Sequence, residues 1–73
     1  MARLPVVSAR EVLKVLRKLG FEVVRQSGSH IHLWSQERQS LVTVPNHSEL
    51  AKGTLLSILK QAKLSREEFL DAL

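Results

Sequence analysis

The stretch His30-Ile31-His32-Leu33-Trp34-Ser35-Gln36 alternates in character, with Ile31 and Leu33 at one set of positions and His30, His32 and Trp34 at the other. Successive side chains of a β-strand point to opposite faces, so this period of two predicts a strand with one apolar face and one face carrying rings and polar atoms. A register slip of one residue would exchange those faces, which makes the burial of Ile31 and Leu33 the deciding assignment. Immediately upstream, Ser27-Gly28-Ser29 reads as a turn, and before it Phe21, Val23 and Arg25 alternate with Glu22, Val24 and Gln26 in a segment rich in β-branched residues. Downstream, Glu37-Arg38-Gln39-Ser40 is a polar hairpin connection. Leu41-Val42-Thr43-Val44 then forms a third strand, closed by Pro45, which has no amide to donate to a ladder. Short connections join the three segments, so the expected product is an antiparallel meander with strands near 21–26, 31–36 and 41–45.

Helical patterns flank the meander on both sides. Ser8-Ala9-Arg10-Glu11 has the spacing of a capping box, in which a hydroxyl and a Glu three residues later satisfy the free amides of a helix start. Val12, Leu13, Val15, Leu16 and Leu19 then fall on one side of a helix near 9–19, with Arg10, Glu11, Lys14, Arg17 and Lys18 on the other and Gly20 as the stop. Pro45 to Lys52 reads as a loop, after which Leu55, Ile58, Leu59 and Ala62 define a second helix near 53–62. Ser65-Arg66-Glu67-Glu68 is a second capping box, and Phe69, Leu70 and Leu73 form the apolar side of a short last helix. A three-stranded sheet needs cover on one face. The expected class is therefore α+β in the order α-β-β-β-α plus a short C-terminal helix, with both long helices on one face and His30, His32 and Trp34 on the other.

Length and composition narrow the function. Residues 1–73 are too few for two cores, so a single domain is expected. The absence of cysteine excludes disulfide scaffolds, thiol nucleophiles and thiolate zinc sites. The longest uninterrupted apolar run, Leu4 to Val7, is far short of a membrane span or a signal-peptide core, so a soluble cytoplasmic protein is expected. Eleven Lys and Arg against seven Asp and Glu leave a net charge of +4, a balance that favours polyanionic partners such as nucleic acid. Neither a phosphate-loop glycine pattern nor a nucleophile elbow occurs, and ATP-dependent and acyl-transfer chemistry find no support.

Acid–base work at neutral pH falls to the three histidines, His30, His32 and His47. His30 follows Gly28-Ser29, where a tight turn feeds a strand and the backbone is fixed. An ordinary surface histidine and a positioned acid–base group both fit that place. His30 and His32 lie about 6.6 Å apart along one strand face and with His47 could begin a metal site. No Asp or Glu in the strand is available to hold the rings, however, and no metal or other cofactor is assigned. Trp34, the only tryptophan, is compatible with stacking a base, with packing on the sheet and with meeting a partner protein. Arg25, Arg38, Lys52, Lys60 and Lys63 scatter over the sheet edge and second helix, and Lys52-Gly53-Thr54 puts a cation beside the free amides of a helix start, a combination suited to phosphate.

Gly20-Phe21, Gly28-Ser29-His30, Val44-Pro45-Asn46-His47, Leu50-Ala51-Lys52-Gly53-Thr54-Leu55 and Ile58-Leu59-Lys60-Gln61-Ala62, in that order and spacing, resemble the HicA toxins of bacterial and archaeal toxin–antitoxin pairs. The resemblance covers nearly the whole chain and implies a double-stranded-RNA-binding-domain-like fold, in agreement with the element order derived above. It further implies a metal-independent endoribonuclease that cuts messenger RNA and is silenced by a HicB-like antitoxin, with the catalytic histidine at His30. Arg25, Ser29, His47, Lys52 and Lys60 are then the expected RNA contacts, and His32 and Trp34 the expected antitoxin contacts. A non-catalytic RNA-binding module of the same fold is the alternative, and a pure protein-interaction domain would lack salt-sensitive RNA binding altogether.

Overall fold

A computed structural model describes residues 3–73. The chain runs α1 (Ala9–Lys18), β1 (Glu22–Ser27), β2 (His30–Ser35), β3 (Ser40–Pro45), α2 (Lys52–Ala62) and α3 (Arg66–Ala72), with the strands in the order β1-β2-β3 and both pairings antiparallel. The expected α+β order, three-stranded sheet and open face are all present. Among the described residues no helix is long and apolar enough to cross a membrane.

Both capping boxes form. Ser8 accepts from the Glu11 amide while the Glu11 carboxylate accepts from the Ser8 amide at 2.9 Å, and Ser65 and Glu68 repeat the exchange at the start of α3. The hydrogen bond from the Ser65 amide is the main reason that the Glu68 carboxyl titrates below its ordinary value, with Arg38 beside it adding to the effect. A carboxyl lowered on folding contributes stability above the unfolded carboxylate range and loses it as pH falls through the folded value, so this cap weakens on the acid side.

α1 ends one residue earlier than its spacing suggests, and the reason relocates Phe21. Gly20, at φ +95°, donates to the Arg17 carbonyl, and the Phe21 amide donates to the Leu16 carbonyl at 2.9 Å. These are the two bonds of a Schellman motif, whose apolar residue just beyond the glycine packs back on the helix. Phe21 is that residue, buried at 1% exposure beside Leu16, and β1 begins after it at Glu22.

Ile31 and Leu33 of β2 and Val42 and Val44 of β3 are buried with Val12, Val15 and Leu16 of α1, Leu55, Ile58, Leu59 and Ala62 of α2, and Phe69 of α3 in one core. The face assignment from alternation therefore holds: His30 is exposed, and His32 and Trp34 are half-buried on the face without helices. β1 differs from its neighbours, because all six of its residues are exposed. The helices cover β2 and β3, while β1 extends the sheet beyond them. A bulge between Val23 and Arg25 also breaks the expected alternation of β1: Val23 stands opposite Leu33, yet Arg25 stands opposite His32. The extra residue returns Arg25 to the open face.

The second hairpin turns over Gln36 to Gln39 and is held by two buried serines that the hydropathy pattern does not reveal. Ser35 accepts from the Arg38 amide, and Ser40 donates to the Arg38 carbonyl, each at 3.1 Å. The Arg38 side chain reaches the Lys63 carbonyl at 3.2 Å and Glu68 at 3.7 Å. Arg38 thus clasps the hairpin to the α2–α3 corner.

Candidate functional site

The first hairpin determines where His30 stands. Ser27 and His30 pair across a two-residue loop, Gly28-Ser29, in which Gly28 has φ +58° and Ser29 does not share the positive sign. Positive φ at the first loop position alone is the signature of a type II′ turn, which matches the twist of the strands it joins and calls for glycine at that position. Any other residue at Gly28 would carry the strain of a left-handed conformation, roughly 1–2 kcal/mol, although a Cβ there would meet no atom. His30 is the first residue after this turn and stands opposite Pro45 on β3. Its imidazole is exposed and makes no hydrogen bond to a described residue.

His47 belongs to the same end of the sheet. The Asn46 amide donates to the Ser29 carbonyl at 2.6 Å, joining the β3 exit to the turn before His30. The Ala9 amide donates to the His47 carbonyl at 2.9 Å, and the Leu50 amide to Val7 at 2.8 Å, with Val7 and Leu50 both buried. These bonds lash the 46–51 loop to the entrance of α1. A shallow polar concavity results, lined by Ser8, Arg10, Asn46, His47 and Ser48. Ser29, His30 and His47 therefore gather at one end of the molecule, with Arg10 beside them. Arg10 was not in the expected set, because nothing in local spacing links an α1 residue to the loop after β3.

Along the open face, cross-strand pairs place Ser27 beside His30 and Pro45, Arg25 beside His32 and Thr43, and Glu22 beside Trp34 and Leu41. The Nδ1 atom of His32 lies 3.1 Å from the Thr43 hydroxyl, so one ring nitrogen is already engaged. Trp34 donates its indole N–H to Gln36 at 3.2 Å, leaving the ring to cover the sheet. Val24, Arg25, His32 and Leu41 line a shallow groove in this face, and Val24 and Leu41 are more than half exposed. The two aliphatic residues were likewise missed, Val24 because the bulge moves it and Leu41 because it reads simply as the first residue of a strand.

Lys60 does not join His30. α2 meets β3 through the bond from the Thr43 amide to the Gln61 side chain, at 3.0 Å, and its C-terminal end lies against Arg38. Lys60 is thus at the opposite end of the sheet from Pro45 and His30. Lys52 opens α2 behind Ala51, a position with no side-chain cap, at the end of the helix that follows His47 and the 46–51 loop. Among the described residues no group of three or more His, Cys, Asp or Glu is placed to hold a metal ion.

These features define a small basic α+β domain whose uncovered sheet face carries an aromatic and aliphatic middle and, at one end, an exposed histidine among polar and cationic groups. The chain belongs to the HicA family: the family model described as the HicA toxin of bacterial toxin–antitoxin matches residues 9–64, from the start of α1 to Leu64, just past the Lys63 cap of α2. It is accordingly a toxin of a toxin–antitoxin pair, and such a toxin implies an antitoxin partner. No curated protein matches the chain. All the site residues expected from the sequence, Arg25, Ser29, His30, His32, Trp34, His47, Lys52 and Lys60, lie within the matched span.

Proposed function

We propose that this toxin is an endoribonuclease that cuts messenger RNA with His30 as general base and without a metal ion, and that a HicB-like antitoxin silences it by covering the open sheet face. The observation that carries the reading is the placement of His30: a constrained turn presents its exposed ring at the end of a strand whose next core residues, Ile31 and Leu33, are buried. In the reaction the neutral imidazole takes the proton of a ribose 2′-hydroxyl. The 2′-oxygen then bonds to the adjacent phosphorus as the bond to the 5′-oxygen breaks, leaving a cyclic phosphate on one fragment and, once that oxygen gains a proton, a 5′-hydroxyl on the other. Arg10 and His47, near the same end of the sheet, supply positive charge or hydrogen bonds to the phosphoryl oxygens.

The test is cleavage of a labelled RNA and of the DNA of the same sequence by the purified chain in excess chelator. RNA should be cut to cyclic-phosphate ends and DNA left whole, because DNA lacks the attacking hydroxyl. Cleavage that disappears in chelator and returns with a divalent cation would sink the metal-free mechanism, and RNA that is bound but never cut would favour the non-catalytic binding module.

The antitoxin part rests on the apolar middle of the open face. Val24, Trp34 and Leu41 offer an aromatic and aliphatic anchor beside Arg25, a combination suited to an acidic partner presenting apolar side chains. Trp34→Ala should weaken antitoxin binding by about 2 kcal/mol, roughly thirtyfold, as central aromatic contacts do. Unchanged affinity in a titration with the antitoxin would place the interface elsewhere.

A further inference from the structure

We propose that the exposed face of α1 is a phosphate-binding track that carries the RNA leading away from His30. This inference rests on the reading of RNA as the substrate and adds to it a surface, remote from the sheet face, that holds the flanking backbone.

The charge of the chain is concentrated there. α1 contains Arg10, Lys14, Arg17 and Lys18 against the single acid Glu11, a net of three positive charges, while all the rest of the chain nets only one. Glu11 does not offset them locally, because its carboxylate is turned to the helix start, accepting from the Ser8 amide at 2.9 Å and the Ser8 hydroxyl at 3.2 Å. Arg10, Lys14 and Arg17 are exposed and make no ion pair with a described residue. Together with Leu13 and Lys18 they line a shallow groove along the helix. Lys18 donates to the Ala72 carbonyl at 2.8 Å and marks the far end.

The fold rewards only the far end of this arrangement, where Arg17 and Lys18 in the last turn meet the helix dipole favourably and Lys18 bonds to Ala72. Arg10 sits in the first turn, where the helix dipole disfavours a cation, and Arg10–Lys14 and Lys14–Lys18 are like-charge pairs at a four-residue separation, each destabilising by about 0.2–0.5 kcal/mol. Leu13 and the carbon stems of the long side chains give the groove an apolar floor, but its rim is Lys and Arg with no aromatic anchor. Such exposed cations suit phosphate oxygens better than a protein interface, whose centre is depleted in Lys and built on aromatic anchors. The apolar anchors of this molecule are on the open sheet face instead.

The track is also continuous with the candidate catalytic end. Arg10 lines the concavity with His47, the His47 carbonyl accepts from the first amide of α1, and Asn46 bonds to Ser29, the neighbour of His30. At 1.5 Å per residue, Lys14 and Arg17 lie about 6 and 10 Å beyond Arg10 along the helix axis. RNA with its scissile phosphate at His30 thus has its neighbouring phosphates directed past Arg10 onto the helix.

The experiment measures binding of a labelled, unstructured oligoribonucleotide over a range of salt concentrations. It compares His30→Ala with His30→Ala carrying Arg10→Gln, Lys14→Gln and Arg17→Gln, since Gln keeps helix propensity while removing charge. Each lost phosphate contact lowers the slope of log affinity against log salt by about 0.7 for a single strand, so the three substitutions should reduce it by about 2. Circular dichroism and the thermal midpoint should show the fold retained, with stability close to that of the parent, since relief of the like-charge pairs offsets the loss of Arg17 from the last turn. An unchanged slope in the folded variant would overturn the track, as would a variant that loses antitoxin binding while keeping its RNA slope. If the triple variant does not fold, Lys14→Gln alone must lower the slope by about 0.7. Because binding is read without cleavage, failure of wild type to cut RNA would remove the proposed function and leave this result standing.

Discussion

Replacing His30 with alanine is expected to lower RNA cleavage by about 10²–10⁴-fold, the usual contribution of a positioned general base, and to abolish toxicity in cells. The same change should leave stability within about 0.5 kcal/mol of wild type, because an exposed side chain that makes no hydrogen bond to a described residue has little to lose on removal. The two readouts together isolate chemistry from folding. His30 is reached through a two-residue turn and followed at once by a core residue, so its Cα is held from both sides while its ring remains free. His32 provides the contrast on the same strand: it shares the face but has Nδ1 engaged by Thr43, and His32→Ala should reduce cleavage far less. Full cleavage by a folded His30→Ala protein would assign the chemistry to another group.

The second large effect concerns stability. Phe21→Ala should cost about 3–5 kcal/mol, the range for a buried aromatic truncated in a core. A domain of this length has only about 4–11 kcal/mol in total, so the variant should be substantially unfolded or should unfold at much lower urea. Phe21 has this weight because it does two things at once. Its amide closes the end of α1 on the Leu16 carbonyl, and its ring is buried in the one core that the helices and the sheet share. Phe21→Leu keeps most of the apolar volume and should cost less than about 1.5 kcal/mol. Equal urea midpoints for wild type and Phe21→Ala would show that the ring is not part of the cooperative core.

The different fates of Phe21 and Leu33 show what kind of information alternation carries. Leu33 lies in a strand with both neighbours paired, where a period of two maps directly onto two faces, and its burial was legible. Phe21 continues the same period into β1, yet it obeys a helix-ending motif whose bonds skip four residues, and periodicity cannot distinguish the two uses of an apolar residue. The Val24 bulge is a second such case: no glycine or proline marks it, and it alone puts Arg25 opposite His32 rather than on the face of Val23. Of the candidate site, His30, Ser29 and the open face with His32 and Trp34 were readable because they lie on one hairpin. The union of His47 with Arg10 was not, since it depends on the amide of Ala9 finding a carbonyl 38 residues later. Lys60 looked like a companion of Arg25 in a list of cations, and the length of α2 carries it to the Arg38 end of the sheet, while Lys52 stays at the end that follows His47.

The absence of any buried side chain in β1 bears on how the molecule moves. β2 and β3 are pinned by Ile31, Leu33, Val42 and Val44, so their amides should exchange with solvent only when the whole domain opens, whereas β1 is held by its ladder to β2 and little else. His30 stands where these two regimes meet. Its backbone and the turn before it, which the Asn46 amide ties to the exit of β3, belong to the slowly opening part, but the strand in front of that turn belongs to the part that frays alone. If RNA is the substrate, as proposed, the long polymer can be admitted or released beside the anchored backbone of His30 by transient loosening of a peripheral strand, at no expense to the core that holds that backbone.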